Sequence, residues 1–167
     1  MGTWDKGLEL EQVISKLKEE LSRAEGAEYT YLAVLLTQAC NGCRVGEAFS
    51  AVQGFAKTGQ RELRVKVEKR KDGAERLIII PPEVQRAKID LNVKLANVKM
   101  YAIRKLRINT HSLRYAWITY QVKNNVNPGM IAAITGHKNL NMLMHYIQKK
   151  QGEEYLRHQL QTIQEAS

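Results

Sequence analysis

Three short motifs in this sequence carry histidine, arginine or tyrosine at places where helices are expected to begin or end. Cleaving a phosphodiester without a metal needs an in-line nucleophile, fixed cations on the non-bridging oxygens and an acid for the departing oxygen. Arginine suits the cation role because its planar fork grips phosphate at two points and stays charged. The sequence supplies a candidate for each part, and the candidates are Tyr146, Arg44, Arg114, His111, His137 and Lys71.

Each candidate has a plainer interpretation when it is taken alone. A tyrosine such as Tyr146 is more often a half-buried core residue than a nucleophile. Single arginines such as Arg44 and Arg114 more often form surface contacts or ion pairs. His145 stands beside Tyr146 as a competing histidine, and it is interpreted as structural or secondary. The chemical interpretation therefore depends on the joint order and spacing of the motifs.

The order and spacing of the three motifs are specific. NGCRVGE follows a predicted helix and contains Arg44 at its centre. HSLR opens a later helix, where His111 and Arg114 share one face because they are three residues apart. TGH ends in His137, and Tyr146 follows nine residues later.

Together these motifs resemble those of the tyrosine recombinases, the family of lambda integrase, Cre and the Xer proteins. The family patterns are T-G-x-R-x-x-E, H-x-L-R, and L-G-H with a tyrosine nine residues later. HSLR matches fully, whereas Asn41 replaces the threonine of the first pattern and Thr135 replaces the leucine of the third. Glu47 keeps the register of the first pattern. The resemblance covers nearly the whole chain from about Leu8 onward.

The resemblance implies metal-free cleavage and rejoining of double-stranded DNA. In that mechanism Tyr146 attacks a phosphate and forms a 3′-phosphotyrosyl bond, while Arg44 and Arg114 hold the charged oxygens. His111 would assist removal of the phenolic proton, and His137 would hydrogen-bond the phosphate. Because the covalent bond conserves the energy of the broken one, no ATP, metal or other cofactor is expected.

The family's catalytic lysine, which protonates the 5′-oxygen, has two candidates in this chain. In the family it lies on a β-hairpin, typically five residues before a basic residue that opens the second strand. Arg76 opens that strand here, which selects Lys71. Lys69 is the alternative if the hairpin is longer.

The surplus of positive charge agrees with a nucleic-acid partner. The chain has 26 Lys+Arg and 17 Asp+Glu, a net charge of +9 and a pI near 9.6, and such a surplus attracts polyanions. No apolar run is long enough to span a bilayer, so the expected location is the cytoplasm of the host cell, on DNA. Five basic residues are expected to contact DNA phosphates without catalytic duty: Lys69, Arg70, Arg104, Lys105 and Arg107.

The two cysteines have the spacing C-x-x-C, which can hold zinc or form a redox pair. A structural zinc site needs two further ligands with close spacing of their own, and the four histidines form no tight pair. Cys40 and Cys43 also end a helical apolar pattern. They are therefore interpreted as small, reduced core residues, with a metal site as the lesser alternative.

Hydrophobic periodicity predicts an α+β domain that is mainly helical, with a small antiparallel β-hairpin. Its strands are predicted at residues 62–68 and 76–81, around the turn signal Asp72-Gly73. Residues 98–109 are ambiguous. The predicted helices span residues 8–25, 28–40, 44–51, 82–97, 111–123, 128–134, 140–147 and 153–163.

The domain organisation expected from this pattern is simple. Residues 1–7 are interpreted as an added or disordered start, and residues 8–167 as a single catalytic domain. Its tail helix, at about 152–164, follows a break at Gly152. Family members usually carry a further N-terminal DNA-binding domain, so the chain is interpreted as a catalytic half or as a minimal recombinase.

The tail helix raises a hypothesis about self-association. In the family, the segment after the nucleophile often docks onto a neighbouring protomer. Leu156, Leu160 and Ile163 form an apolar stripe suited to such docking, which predicts a dimer or tetramer on DNA. Packing of the stripe on the chain's own core is the alternative.

The favoured interpretation is therefore a site-specific recombinase or integrase of a mobile element. The abundance of Lys and Glu with few Pro agrees weakly with a thermophilic, archaeal source. One alternative is a type IB topoisomerase, which shares the chemistry but needs neither four protomers nor paired sites. Another is a DNA-binding module that has lost catalysis, although six family positions filled in order argue against that.

Overall fold

The computed structural model describes residues 8–138 and 140–166, so residues 1–7 lie outside the described part of the chain. The described residues form a mainly helical α+β fold with one small antiparallel sheet, which confirms the predicted class. The elements in chain order are α1 Leu10–Arg23, α2 Gly26–Asn41, α3 Val45–Thr58, β1 Glu62–Lys66, β2 Glu75–Ile79, α4 Leu95–Lys105, α5 Thr110–Lys123, α6 Pro128–Thr135 and α7 Asn141–Ala166.

Helix α2 forms the centre of the core. It contacts α1, α3, α4 and α5, and its side chains are apolar almost all round, as expected of a helix covered on every side. Leu32, Leu35 and Leu36 are fully buried there. Helix α1 instead buries a single stripe, which explains its amphipathic sequence. The core therefore fixes both ends of α2, including the end that leads into the first motif.

The predicted hairpin is present, with strands β1 and β2 paired antiparallel from Glu62↔Ile79 to Lys66↔Glu75. Val65 and Ile78 are buried and face the core, and in β1 the charged neighbours Arg64 and Lys66 alternate with Val65 toward solvent. The basic tip, residues 67–74, projects beyond the ladder. Its reversal uses left-handed backbone at Lys69 (φ 65°) and at Gly73 (φ 72°).

Asn41 joins this hairpin to the end of α2. Its side-chain Nδ2 donates to the Ile79 carbonyl at 2.8 Å, and its Oδ1 accepts from the Ile79 N–H at 3.0 Å. The next residue, Gly42, adopts φ 64°, where a Cβ atom would lie 2.3 Å from the Trp117 ring. The chain can therefore turn at Gly42 and deliver Arg44 to the start of α3 while the hairpin stays in register.

The helix predicted over residues 82–97 is wrong. Only a 3₁₀ turn, Arg86–Lys88, forms there, and α4 begins at Leu95. Distant side chains satisfy the backbone instead: Arg61 donates to the carbonyls of Pro81 and Val84 at 2.7 and 2.8 Å. Because backbone groups can pair with side chains as well as with each other, an apolar helical period does not force a helix.

The predicted break at Gly152 is also wrong, because α7 is one continuous helix, Asn141–Ala166. A glycine inside a helix costs only about 1 kcal/mol relative to alanine, which the long helix tolerates. Beyond Gly152 the helix is exposed along its length: Leu156 is 56%, Leu160 52% and Ile163 61% exposed. The apolar stripe therefore does not pack on the chain's own core.

Candidate active site

Arg44 is held at the N-terminus of α3 by the carboxylate of Glu47. The Arg44 N–H donates to Glu47 Oε1 at 3.0 Å, and the Arg44 guanidinium lies 3.4 Å from Oε2. The Glu47 side chain is fully buried, whereas that of Arg44 keeps 17% of its surface exposed. The buried carboxylate of Glu47 thus fixes the position of Arg44, whose side chain stays partly exposed to solvent.

The same carboxylate connects the first motif to the second. Arg114, on α5, places Nη1 3.8 Å from Glu47 Oε1, and the backbone N–H of Glu68 donates to Oε2 at 2.9 Å. Arg44 and Arg114, which lie far apart in the sequence, are therefore neighbours around Glu47. The pattern carried this glutamate, but the sequence could not show that it bridges two arginines and the hairpin.

The third motif contacts Arg114 through His137. Gly136, in left-handed backbone (φ 76°), ends α6 and turns the chain so that His137 faces the guanidinium. Arg114 Nη2 lies 2.8 Å from His137 Nδ1 and 2.9 Å from Nε2. Thr135 Oγ1 lies 2.7 Å from Nδ1 on the other side. Residues of all three motifs are thereby in contact through two arginines.

Arg76 adds a third guanidinium that sequence reasoning treated only as the start of a strand. Its side chain is buried, and Nη2 donates to the Asn41 carbonyl at 2.7 Å. Among the described residues, neither Arg76 Nη1 nor Arg114 Nη1 has a hydrogen-bond acceptor. Arg44, Arg76, Arg114, Glu47 and His137 are called the arginine cluster below. Three cations around one carboxylate leave a positive site suited to an anion with several oxygens.

Burial and positive neighbours control the titration of this cluster. Burial, with a further contribution from Arg44, lowers the pKa of Arg114 to about 10. Burial, followed by the charges of Arg114, Arg44, Arg76 and His111, lowers the pKa of His137 to about 3. His137 is therefore neutral near pH 7, where Arg114 stays charged.

His111 lies in the first turn of α5, where its N–H donates to the side chain of the N-cap residue Asn109 at 2.9 Å. The cap is thus Asn109, and Thr110 is the first helical residue. Burial and the charges of Arg114, Lys69 and Arg44 lower the pKa of His111. The histidine is exposed and stands at the edge of the arginine cluster.

The hairpin tip reaches the cluster from the other side. Arg70 pairs with Asp72 and donates to the Gly136 carbonyl at 3.3 Å, which ties the tip to the turn before His137. The charge of Lys69 acts on His111, whereas Lys71 lies one position from Asp72 and is exposed. The structure therefore brings the alternative lysine, Lys69, toward the cluster.

Tyr146 occupies a separate position. It lies on α7, is 41% exposed and lines a cavity of about 590 Å³ together with Tyr115, Thr119 and Lys150. The described residues of the cavity wall come from around α1, α5 and α7, and they include no member of the arginine cluster. Of the six candidate residues, Arg44, Arg114 and His137 meet in the arginine cluster and His111 is close enough to feel its charges, whereas no described contact joins Lys71 or Tyr146 to it.

Comparison with known proteins identifies relatives of the whole chain. It is 38% identical over 168 residues to "Putative integrase ORF241" of Acidianus two-tailed virus, an alignment that covers 93% of this chain and 68% of that protein. The chain belongs to this family of integrases. It is also 30% identical over 197 residues to an uncharacterized protein of Methanocaldococcus jannaschii, covering 93% of the chain and 88% of that protein.

A more distant relative is "Putative integrase V10" of Sputnik virophage, 25% identical over 200 residues, or 90% of the chain and 88% of that protein. No family model matches the chain, and no solved structure does. The integrase assignment therefore comes from viral relatives that align with most of the chain.

The remaining predicted positions lie at the surface or in the core. Arg104, Lys105 and Arg107 are exposed around the end of α4. Cys43 is fully buried and Cys40 half-buried, both are free, and burial raises their pKa values to about 12 and about 11. Within the described ranges there is no group of His, Cys, Asp or Glu that could hold a metal, and no helix long and apolar enough to cross a membrane.

The depressed pKa of His137 predicts acid sensitivity. An unfolded histidine has a pKa near 6.5 and that of His137 is about 3, so between these values the unfolded chain binds more protons. The free energy of unfolding should therefore fall as the pH is lowered from about 6.5. In His137→Gln this fall should be shallower between pH 6.5 and 5, as measured by urea denaturation. An identical slope in both proteins would contradict the assignment.

Proposed function

We propose that this integrase-family chain is a tyrosine recombinase catalytic domain that cleaves and rejoins double-stranded DNA. The observation that carries the proposal is the meeting of Arg44 and Arg114 on Glu47, with His137 against Arg114. Two guanidinium groups beside one another match the non-bridging oxygens of a phosphodiester.

In the proposed step the phenolic oxygen of Tyr146 attacks phosphorus and forms a new P–O bond. The phosphorus stays attached to the 3′-oxygen of the DNA. The bond from phosphorus to the 5′-oxygen breaks, and that oxygen takes a proton. His111 accepts the phenolic proton, a role that agrees with its lowered pKa because a neutral imidazole has a free lone pair. Rejoining is the reverse attack by a 5′-hydroxyl, so neither water nor an energy source is consumed.

The acid that protonates the 5′-oxygen is assigned to Lys69 in preference to Lys71. Lys69 is the hairpin lysine whose charge contributes to the lowered pKa of His111. Its left-handed backbone (φ 65°) also sets it at the point where the tip bends over the turn at Gly136. Lys71 remains the alternative.

Changing each lysine to alanine separates the two assignments. Lys69→Ala should slow cleavage of ordinary DNA by roughly 10²–10⁴-fold, the usual contribution of a general acid, whereas Lys71→Ala should change it little. A substrate with sulfur in place of the 5′-bridging oxygen should restore the cleavage rate of Lys69→Ala, because a thiolate leaves without needing a proton. The reverse pattern would assign the role to Lys71.

The proposal is tested by a covalent adduct. The protein is incubated, in the presence of a chelator, with a suicide DNA substrate whose cleaved end diffuses away. We expect a protein–DNA adduct that survives denaturation, with the DNA on the peptide that contains Tyr146. Exchange of strands between two duplexes would indicate recombination. Relaxation of supercoiled DNA alone would favour the topoisomerase alternative, and binding without any adduct would favour the non-catalytic module.

The exposed end of α7 supports self-association of the domain on DNA. Its apolar stripe at Leu156, Leu160 and Ile163 is uncovered. We expect deletion of residues 152–167 to reduce the size of the assembly on a DNA site, as measured by analytical ultracentrifugation. Binding of one domain to DNA should be unchanged, and an assembly of the same size would reject the docking role.

A further inference from the structure

Thr135 makes an interaction with His137 that the family pattern does not contain, because leucine is usual at this position. Thr135 is the last residue of α6 and is fully buried. Its Oγ1 lies 2.9 Å from the Ile131 carbonyl, one turn back in the helix, and 2.7 Å from His137 Nδ1. A buried hydroxyl between a carbonyl and a ring nitrogen can decide which of the two nitrogens carries the proton.

The hydrogen-bond inventory determines that choice. A threonine hydroxyl has one proton, and here it is directed to the Ile131 carbonyl, which can only accept. With its proton on the Ile131 carbonyl, the Thr135 oxygen accepts from His137, and the protonated ring nitrogen is then Nδ1. In a neutral ring Nε2 then carries the lone pair, and it lies 2.9 Å from Arg114 Nη2, a donor. Arg114 Nη2 is nearly equidistant from the two ring nitrogens, 2.8 Å from Nδ1 and 2.9 Å from Nε2, so the hydroxyl of Thr135 and not the guanidinium selects the tautomer.

We propose that Thr135 is a positioning residue that keeps the proton of His137 on Nδ1 and leaves Nε2 as the nitrogen presented to Arg114 and to the DNA phosphate. The inference rests on the proposed function, because it assumes that a phosphate enters between Arg114 and His137. When the phosphate takes over the Arg114 N–H, Nε2 gains a proton from solvent and donates it in a hydrogen bond to a phosphate oxygen. The N–H bond at Nε2 is the one bond formed in this step, and solvent supplies its proton.

The charges around His137 explain why the ring gains its second proton only after a phosphate has bound. Without DNA its neighbours are mostly cations, which oppose protonation; a phosphate monoanion placed among them favours it. The imidazole can therefore be an acceptor for Arg114 in the free protein and a donor in the complex. Thr135 serves both states, since Nδ1–H is bonded to it in each. The charged or titratable groups around His137 are Arg114 and His111 from α5, Arg44 and Glu47 from α3, Arg76 from β2, and Lys69 and Arg70 from the hairpin tip.

The direct test is the nitrogen spectrum of the histidine ring. In protein labelled with ¹⁵N at histidine, with the signal assigned by its loss in His137→Gln, we expect protonated Nδ1 and unprotonated Nε2 in the free protein near pH 7. Thr135→Ser keeps the hydroxyl and should give the same spectrum. Thr135→Val keeps the shape but not the acceptor, and the Nδ1–H form should no longer dominate. Protonated Nε2 in the wild-type protein, or an unchanged spectrum in Thr135→Val, would overturn the proposal.

The functional test uses the same variants in single-turnover cleavage. Thr135→Val should cleave on the order of tenfold more slowly, as when a histidine loses the partner that orients it, with the Kd for uncleaved DNA unchanged. Thr135→Ser should restore the rate, and a thermal melt of each variant excludes simple unfolding. Equal rates in Thr135→Val and wild-type protein would overturn the inference while leaving the proposed function intact. A wild-type protein that forms no adduct would reject the proposed function, and the ring spectrum would still report on Thr135.

Discussion

Replacing Glu47 with glutamine is expected to lower the free energy of unfolding by about 3–5 kcal/mol, the range found when one partner of a buried ion pair is removed. Both oxygens of the carboxylate are used: Oε1 accepts the Arg44 N–H, and Oε2 accepts the Glu68 N–H. Glutamine has one acceptor oxygen, so in either orientation its NH₂ group meets a donor. The guanidinium groups of Arg44 and Arg114 would also lose the only carboxylate with which the described contacts pair them.

The effect is measured by urea denaturation at pH 7, with two controls in the same chain. Glu62→Gln changes an exposed glutamate of β1 and should alter stability by less than about 0.5 kcal/mol. Glu47→Asp keeps the charge but shortens the side chain, and its effect should lie between the two. If Glu47→Gln were as stable as Glu62→Gln, Glu47 would not hold the two motifs together, and the arginine cluster would need another explanation.

The sequence predicts the core helices and the hairpin because their signals are local. The stripe of Leu10, Val13, Leu17 and Leu21 repeats within one helix, and it is buried as its period requires. Glycines that end helices are equally readable: Gly136 stands in left-handed backbone directly before His137. Signals contained within one element thus placed Arg44 and His137 next to the ends of the correct helices, whereas Tyr146 lies inside the longer α7.

The failures share a physical cause. Residues 82–97 have the apolar period of a helix, but Arg61 and the Tyr29 hydroxyl satisfy their backbone from elsewhere in the fold. At Gly152 the cost of one glycine was smaller than the gain from continuing α7. Neither result can be predicted from neighbouring residues alone, because each depends on interactions with residues elsewhere in the chain.

The residues of the candidate site also fall into two groups: those that the sequence motifs predicted and those that only the packing of the fold revealed. The order of the motifs named residues that the fold brings together, such as Arg44, Arg114 and His137. It did not reveal Arg76 as a buried member of the cluster or Thr135 as a partner of His137, because these depend on packing between elements. The departure from leucine at Thr135 was visible in the sequence, and only the fold gave it a meaning.

Tyr146→Phe is expected to abolish the covalent adduct, a loss on the order of 10⁴-fold or more in cleavage, since the substitution removes the attacking oxygen and nothing else. Binding of uncleaved DNA should be unchanged, because in the proposed mechanism the arginine cluster and not the phenol holds the phosphate. Tyr155→Phe is the matched control, since Tyr155 is an exposed tyrosine on the same helix, α7. It should form the adduct at the wild-type rate. An adduct that persists in Tyr146→Phe would assign the nucleophile to another residue.

A mixing experiment extends this prediction to the position of Tyr146 beside the cavity between α5 and α7. Arg114→Lys keeps a charge but loses the fork that grips phosphate, and alone it should cleave poorly. Adduct formation by a mixture of Tyr146→Phe and Arg114→Lys would mean that the arginines of one subunit and the phenol of another act on the same phosphorus. No recovery would mean that α7 brings its tyrosine to the arginine cluster of its own chain when DNA binds. In that case a crosslink between α5 and α7 tests whether α7 has to move: blocked cleavage with unchanged DNA binding would show that it does.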